Sequence, residues 1–310
     1  MSIDRRKFLS TAATLGAIVM TPFEELLASK PAFSIPANFS LQIMGTNWGF
    51  PGTMDEFCAK AKKAGYDGVE LWWPESVAAQ KEMLEALKKY QLEVGFLAGG
   101  SDKDPVKHFA QFKTMFDGAV HSPQRPLYIN CHSGRDFFSM EENGKFIEYT
   151  NKAAKESGII ICHESHRSRI LFAAHIAKQY FQKYPELRLT LDISHWCNVH
   201  ESLLQDQEEA VALALSRTDH VHARIGHQEG PQVNDPRAPE WEGAVKRHLE
   251  WWDAIVQMKI KNGTNKLTIL TEFGPPHYLP ALPYTLQPVA DQWGINEYMM
   301  NLLRKRYLEA

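Results

Sequence analysis

The chain has 310 residues, 44% of them hydrophobic, and a formal net charge of −3 at pH 7. That combination points to a soluble globular protein, and a charge so near zero implies neither a nucleic-acid partner nor an acidic surface. The length suits one large domain.

The chain opens on Arg5-Arg6-Lys7-Phe8-Leu9, followed by the uncharged, largely apolar stretch Ser10–Phe23. Twin arginines before such a stretch resemble a twin-arginine export signal. The stretch falls short of the roughly 20 apolar residues that span a membrane, so no membrane anchor is expected in the mature form. Leu27-Ala28-Ser29 makes a poor small-residue cleavage site. Residues 1–35 are read as signal segment and linker, adding little to the core. The implied partner is the twin-arginine export machinery, and the implied location is periplasmic or otherwise exported. Cys58, Cys131, Cys162 and Cys197 show no CxxC spacing and no disulfide framework. Cys131 and Cys162 fall inside predicted strands and read as buried thiols, although an oxidising compartment leaves a bridge open.

From residue 38 onward, apolar runs alternate with amphipathic stretches. The runs predict strands over Leu41–Gly45, Gly68–Trp72, Glu93–Ala98, Leu127–His132, Ile159–Glu164, Arg188–Asp192, His220–Ile225 and Leu267–Phe273. Helices are predicted near 54–64, 76–90, 104–120, 140–157, 168–183, 201–217, 240–262 and 286–308. Strict alternation implies a parallel sheet, and eight repeats close into a single-domain (β/α)8 TIM barrel over residues 38–310. Gly65, Gly158 and Gly263 fall where left-handed helix caps are needed. Two long loops, Gly226–Pro239 and Gly274–Pro283, follow the seventh and eighth strands and are stiffened by prolines, as walls or lids over a pocket.

Four strands deliver ionisable residues at their C-terminal ends, where barrel enzymes build their sites. Ile159–Arg169 ends in His163, Glu164, His166 and Arg167; Leu189–Trp196 carries Asp192; His220–Arg224 carries His222; Leu267–Gly274 carries Glu272. Alternation along a strand puts Cys162 with Glu164, His220 and Arg224 with His222, Asn130 with His132, and Gly68 and Trp72 with Glu70 on common inward faces. Glu164, Asp192, His222 and Glu272 together suit one divalent metal. Oxygen-rich ligation with one imidazole favours Mn²⁺, with Mg²⁺, Co²⁺ or Zn²⁺ as alternatives. Such a cation acidifies the hydrogen on a carbon between chelated carbonyl and hydroxyl oxygens. Glu164 and Glu272 are the candidate acid/base pair: one deprotonates that carbon and the other reprotonates it.

The ordered set Glu164, Asp192, His222 and Glu272 resembles the ligands of the sugar isomerase/epimerase superfamily of xylose-isomerase-like barrels. That superfamily takes in ketose 3-epimerases, hydroxypyruvate isomerase, inosose dehydratase and an apurinic endonuclease branch. Asp192-Ile193-Ser194-His195 matches its DxxH element, and Ala64 to Trp72 looks like its second-strand signature. The resemblance implies that His195 contacts substrate oxygens. Ser165-His166-Arg167-Ser168-Arg169 departs from the Asn-Arg pair and later glutamate of ketose 3-epimerases, leaving Arg167 for the arginine role. Position 228 is glutamine where those enzymes carry an arginine, and Arg224 is closer to the metal-binding histidine. His132, His166, His195 and His227 invite comparison with the three-zinc endonucleases, but no basic face for DNA accompanies them.

The expected function is a metal-dependent isomerase or epimerase acting on a carbohydrate or hydroxy-ketone through an enediolate. One alternative is a lyase or dehydratase on a 3-keto glycoside at the same site. Another is a non-catalytic periplasmic carbohydrate-binding barrel. Expected substrate contacts are His195, Arg224, Arg167, His132, Glu70, His166, Trp48 and Trp72; Phe50, Trp73 and Phe137 also lie near strand ends. The aromatic residues either stack on a pyranose face or plug the mouth. The partner is a small-molecule carbohydrate, with no nucleic acid, and a homo-oligomer is admitted.

Overall fold

The computed structural model describes residues 29–308. Eight parallel strands close in sequence order: β1 (Ser40–Thr46), β2 (Gly68–Trp72), β3 (Glu93–Gly99), β4 (Tyr128–His132), β5 (Ile160–Glu164), β6 (Leu189–Leu191), β7 (Thr218–His222) and β8 (Lys266–Leu270), with β8 pairing back onto β1. Around them pack α1 (Met54–Ala64), α2 (Val77–Tyr90), α3 (Pro105–Val120), α4 (Met140–Ser157), α5 (Ala174–Lys183), α6 (Ile193–Val199), α7 (Glu208–Arg217), α8 (Glu242–Lys261) and α9 (Gln292–Tyr307). The chain is a single-domain (β/α)8 TIM barrel.

Local chemistry sets the helix ends. Thr53 and Glu56 form a reciprocal capping box at α1, and Ser139 and Glu142 repeat it at α4. Asp104 caps α3, which opens on Pro105. Gly65 and Gly158 close α1 and α4 with φ of 98° and 64°, where a side chain would be strained.

The larger apolar core lies between sheet and helices, while Met44, Tyr128 and Leu270 form a separate small cluster. Tyr128 stacks on the His220 ring at 3.8 Å. A Cβ at Gly95 would sit 2.2 Å from the Tyr128 ring, so glycine there makes room for the phenol.

Several boundaries differ from the sequence expectation, and the backbone shows why. Ser168 (φ 64°), Glu201 (φ 49°), Leu204 (φ 60°), Tyr284 (φ 65°) and Leu286 (φ 56°) are left-handed. Helices expected from 168, 201 and 286 therefore begin only at Ala174, Glu208 and Gln292. β6 stops at Leu191 because Asp192 turns to cap the unexpected short helix α6, accepting from the Ser194 amide.

Arg5, Arg6 and the rest of the twin-arginine segment through residue 28 lie outside the described residues. Within the expected linker, Ser29 accepts a hydrogen bond from Arg306, and Phe33 and Ile35 pack against the core. Part of the expected linker, from 29 to 35, thus rests against the barrel. All four cysteines are buried free thiols. Among the described residues, no helix is long and apolar enough to cross a membrane.

Candidate metal and acid–base site at the barrel mouth

Glu164 ends β5 with its side chain buried. Its Oε2 accepts from Asn130 Nδ2 at 2.8 Å and lies 2.7 Å from His132 Nε2. Its Oε1 has no hydrogen-bond partner among the described residues and lies 3.8 Å from His222 Nδ1. Burial raises the Glu164 pKa, but His132 and His222 outweigh it and hold the carboxylate well below its usual range. The preceding residue, His163, faces the opposite way and is bracketed by Ser133 Oγ at 2.6 Å and Thr150 Oγ1 at 2.7 Å. Burial pushes His163 down to about 3, so it stays a neutral structural ring.

Asp192 occupies the turn from β6 into α6. Its Oδ1 accepts from the Ser194 amide at 3.1 Å and from the Ser194 hydroxyl. Its Oδ2 meets the Arg224 guanidinium and lies 3.5 Å from His195 Nε2. Burial pushes Asp192 up to about 6 despite Arg224.

His222 ends β7. Its Nδ1 is 2.9 Å from Glu272 Oε2, and its Nε2 is 3.2 Å from Glu70 Oε1. Burial works against charge on this ring, but Glu272, Glu70 and Glu164 together raise its pKa well above the ordinary imidazole value. Glu272 lies two residues beyond β8. Its neighbours are clamped: Asn296 brackets the Phe273 backbone at 2.8 and 2.9 Å, and Gln232 Oε1 accepts from the Gly274 amide at 2.7 Å.

The expected substrate contacts surround this centre. Arg224, fully buried, donates to Asp192, to Ser194 Oγ at 3.2 Å and to His195 Nε2 at 2.8 Å, and lies 3.4 Å from Glu272. The His166 ring lies 3.9 Å from His195 and 4.7 Å from His132. Burial first, then neighbouring cations, lowers both His166 and His195 well below the imidazole range. Arg167 reaches over the Tyr278 ring at 4.9 Å, and Trp48 meets the same ring edge-on at 4.9 Å. Trp72 meets His132 edge-on at 5.4 Å. Glu70 lies deeper, wholly buried between His220 and His222. His227 lies tilted against the Trp241 ring at 4.7 Å and joins none of the donor clusters among the described residues.

Three further residues meet the centre. Asn130 shares an inward face with His132, but parity alone does not show its bond to Glu164. Parity likewise places His220 inward without showing its contact with Glu70. Tyr278 comes from the proline-rich loop after β8, packs 4.7 Å from the Arg224 guanidinium, and has its hydroxyl 3.4 Å from His166 Nε2. No spacing rule singles out a residue whose place depends on a loop's path.

The donor chemistry fits a divalent cation. Glu164–Asp192–His195, Asp192–His222–Glu272, His132–Glu164–His166 and Glu70–His220–His222 each bring three ligand atoms within 4.8 Å of one another. The donors are carboxylate oxygens and imidazole nitrogens without thiolate, a set for Mn²⁺, Mg²⁺, Co²⁺ or Zn²⁺. The unpartnered, buried Oε1 of Glu164 is the atom such a cation would satisfy.

A model described as the xylose isomerase-like TIM barrel matches residues 58–253. No curated protein matches the chain in sequence. Among solved structures, a 3-keto-D-glucoside 4-epimerase from E. coli is similar at 14% identity and a TM-score of 0.55, over 85% of this chain and 99% of that one. A probable 3-DHS dehydratase from Bacillus anthracis gives 16% identity and 0.55 over 85% and 98%. A D-tagatose 3-epimerase-like protein gives 15% and 0.51 over 85% and 97%. At these identities the likeness is one of fold.

Proposed function

We propose, since this chain belongs to the xylose isomerase-like TIM barrel family, that it is a divalent-metal-dependent isomerase or epimerase of a carbohydrate or hydroxy-ketone. The supporting observation is the convergence of Glu164, Asp192, Glu272 and His222 at one mouth, with Glu164 Oε1 buried and unpartnered. A divalent cation held by these four residues, Mn²⁺ first, would acidify the carbon beside a chelated carbonyl and stabilise the negative charge that develops on the substrate oxygens.

The chain's own residues divide the remaining work. Asn130 and His132 fix Glu164 Oε2, and the Glu164 carboxylate takes the proton from that carbon. Glu272, set by the Phe273 and Gly274 clamps, returns a proton to the same or the neighbouring carbon. Arg224 and His195 hold substrate oxygens. Tyr278, Trp48 and Arg167 pack together over the mouth and limit water access.

A second outcome at the same residues is elimination. After Glu164 takes the proton, the electron pair expels a leaving group from the next carbon and Glu272 protonates it. The stretch after Glu164 lacks the later glutamate expected in free-ketose epimerases, which favours this reading for a 3-keto glycoside. The proposal includes export through the twin-arginine route, which delivers folded proteins and suits a metal loaded beforehand. The test is Mn²⁺-loaded protein in deuterated water with free ketoses and 3-keto glycosides. Deuterium is expected at the carbon beside the carbonyl. Binding without exchange across the set would instead favour a carbohydrate-binding barrel.

A further inference from the structure

Beside the mouth, a cavity of about 630 Å³ runs between the ends of β2 and β3 and the helix α3. Its wall includes Trp72, Gln80, Ser101, Gln111 and Arg169. None of these except Trp72 belongs to the acid–base centre. Trp72 is shared between the two: it lines the cavity and meets His132 at 5.4 Å, and His132 is 2.7 Å from Glu164.

Arg169 gives the cavity its chemistry. Its Nε and Nη1 are buried and have no hydrogen-bond partner among the described residues. It makes no salt bridge among the described residues, and the cavity's carboxylate, Glu75, is exposed. Buried guanidinium nitrogens without partners are costly unless an acceptor meets them, and the fork geometry of the half-buried Arg169 suits a carboxylate or phosphate. Arg135 lies close by, its own Nε also buried and unpartnered. Burial and then Arg135 lower the Arg169 pKa against the opposing pull of Glu164 and Asp136. The backbone connects the cavity to the centre, since the Arg169 amide donates to the His166 carbonyl at 3.1 Å. The exposed face of Trp72 offers a stacking surface of the kind sugar rings use.

We propose that this cavity is a second substrate subsite. It takes a distal ring that stacks on Trp72 and carries an acidic group on Arg169, so the preferred substrate is an acidic glycoside of two rings. The identity of the substrate rests on the isomerase or epimerase reading; the existence of the subsite does not.

The experiment titrates the Mn²⁺-loaded protein with cellobiose, cellobiouronic acid, cellobionic acid and cellobiose 6′-phosphate, followed by calorimetry and tryptophan fluorescence. The two acids carry the carboxylate at opposite ends, and the phosphate distinguishes the two kinds of anion. At least one charged probe is expected to bind roughly ten- to a hundredfold more tightly than cellobiose, the range for a charge-assisted hydrogen bond. Arg169→Gln should abolish that preference and leave cellobiose binding unchanged. Trp72→Ala should weaken both classes. Equal binding of neutral and charged probes by the wild type, or no binding of any, overturns the proposal without need of a variant. So does a preference that survives Arg169→Gln. Deuterium exchange on simple ketoses without anion preference would sink the subsite and keep the enzyme reading. Anion preference without exchange on any ligand would do the reverse.

Discussion

Glu70 Oε1 lies 3.2 Å from Nε2 of His222, on the side of the ring opposite Glu272 and Glu164. The imidazole is thereby held from behind and presents Nδ1 to the mouth. Behind Glu70 the arrangement repeats. Its Oε2 lies 3.3 Å from His220 Nε2, and His220 Nδ1 meets the Thr268 hydroxyl at 2.8 Å. Burial raises Glu70, but His222 and His220 outweigh it and hold the carboxylate down at about 2.

A carboxylate behind a ligating imidazole fixes its tautomer and makes it a better ligand. Glu70→Gln is therefore expected to weaken Mn²⁺ binding roughly 10–100-fold. Free Mn²⁺ measured by electron paramagnetic resonance during titration reports this directly, without any substrate. An unchanged dissociation constant would remove Glu70 from a positioning role.

Metal binding should release a proton. The carboxylates around His222 raise its pKa well above the imidazole value in the metal-free protein, so the ring holds a proton near neutral pH. A cation binds only the deprotonated nitrogen. Affinity should thus rise with pH and keep rising above pH 6.5, the ordinary imidazole value. Calorimetry at pH 7 in buffers of differing ionisation enthalpy should give about one proton released per Mn²⁺. Heats independent of buffer would contradict this.

The barrel was legible because buried parallel strands read as apolar runs, and the mouth was legible because those runs end in Glu164, Asp192, His222 and Glu272. What stayed hidden depends on backbone torsion and depth. Leu204 and Leu286 adopt left-handed φ without being glycine, so nothing in their chemistry announced a break. Asp192 both leaves a strand and caps a helix, and only the fold shows that α6 intervenes. Glu70 and Glu164 look alike in sequence, yet Glu70 is enclosed between His220 and His222 behind the site while Glu164 ends β5 beside His132 at the mouth.

Acid stability should depend on His248. Its Nδ1–H donates to the Ala244 carbonyl at 2.8 Å, and its Nε2 accepts from the Gly226 amide at 3.2 Å. Burial pushes the folded-state pKa from 6.5 down to about 4. The unfolded chain therefore binds the proton first. Stability contributed by the neutral ring is complete above pH 6.5 and is lost as pH falls toward 4. The loss amounts to about 3 kcal/mol at one pKa unit per 1.36 kcal/mol. His248→Gln keeps an acceptor and should flatten that slope in urea denaturation series across the window. Parallel slopes for wild type and variant would argue against it.

Export has a direct test. Replacing Arg5 and Arg6 with lysine should leave the precursor in the cytoplasm. Full recovery of the double variant from the periplasm would remove the twin-arginine reading and leave the barrel chemistry untouched.

The last prediction separates a catalyst from a binder. Glu164→Gln preserves shape and one oxygen donor but removes the base; Glu272→Gln does the same for its proposed partner. Losing a positioned acid/base group costs about 10²–10⁴-fold in rate. Deuterium uptake beside the substrate carbonyl, with Mn²⁺ saturating, should fall by that range in both variants. Saturation matters because each variant also removes a formal charge from the metal site and weakens binding. His195→Ala should behave differently. His195 accepts from Arg224 and is buried beside Asp192, so its loss should raise KM while part of the exchange persists. Wild-type protein that binds a sugar tightly yet exchanges no proton would leave Glu164 and Glu272 without a catalytic role, and the mouth would then be a binding site only.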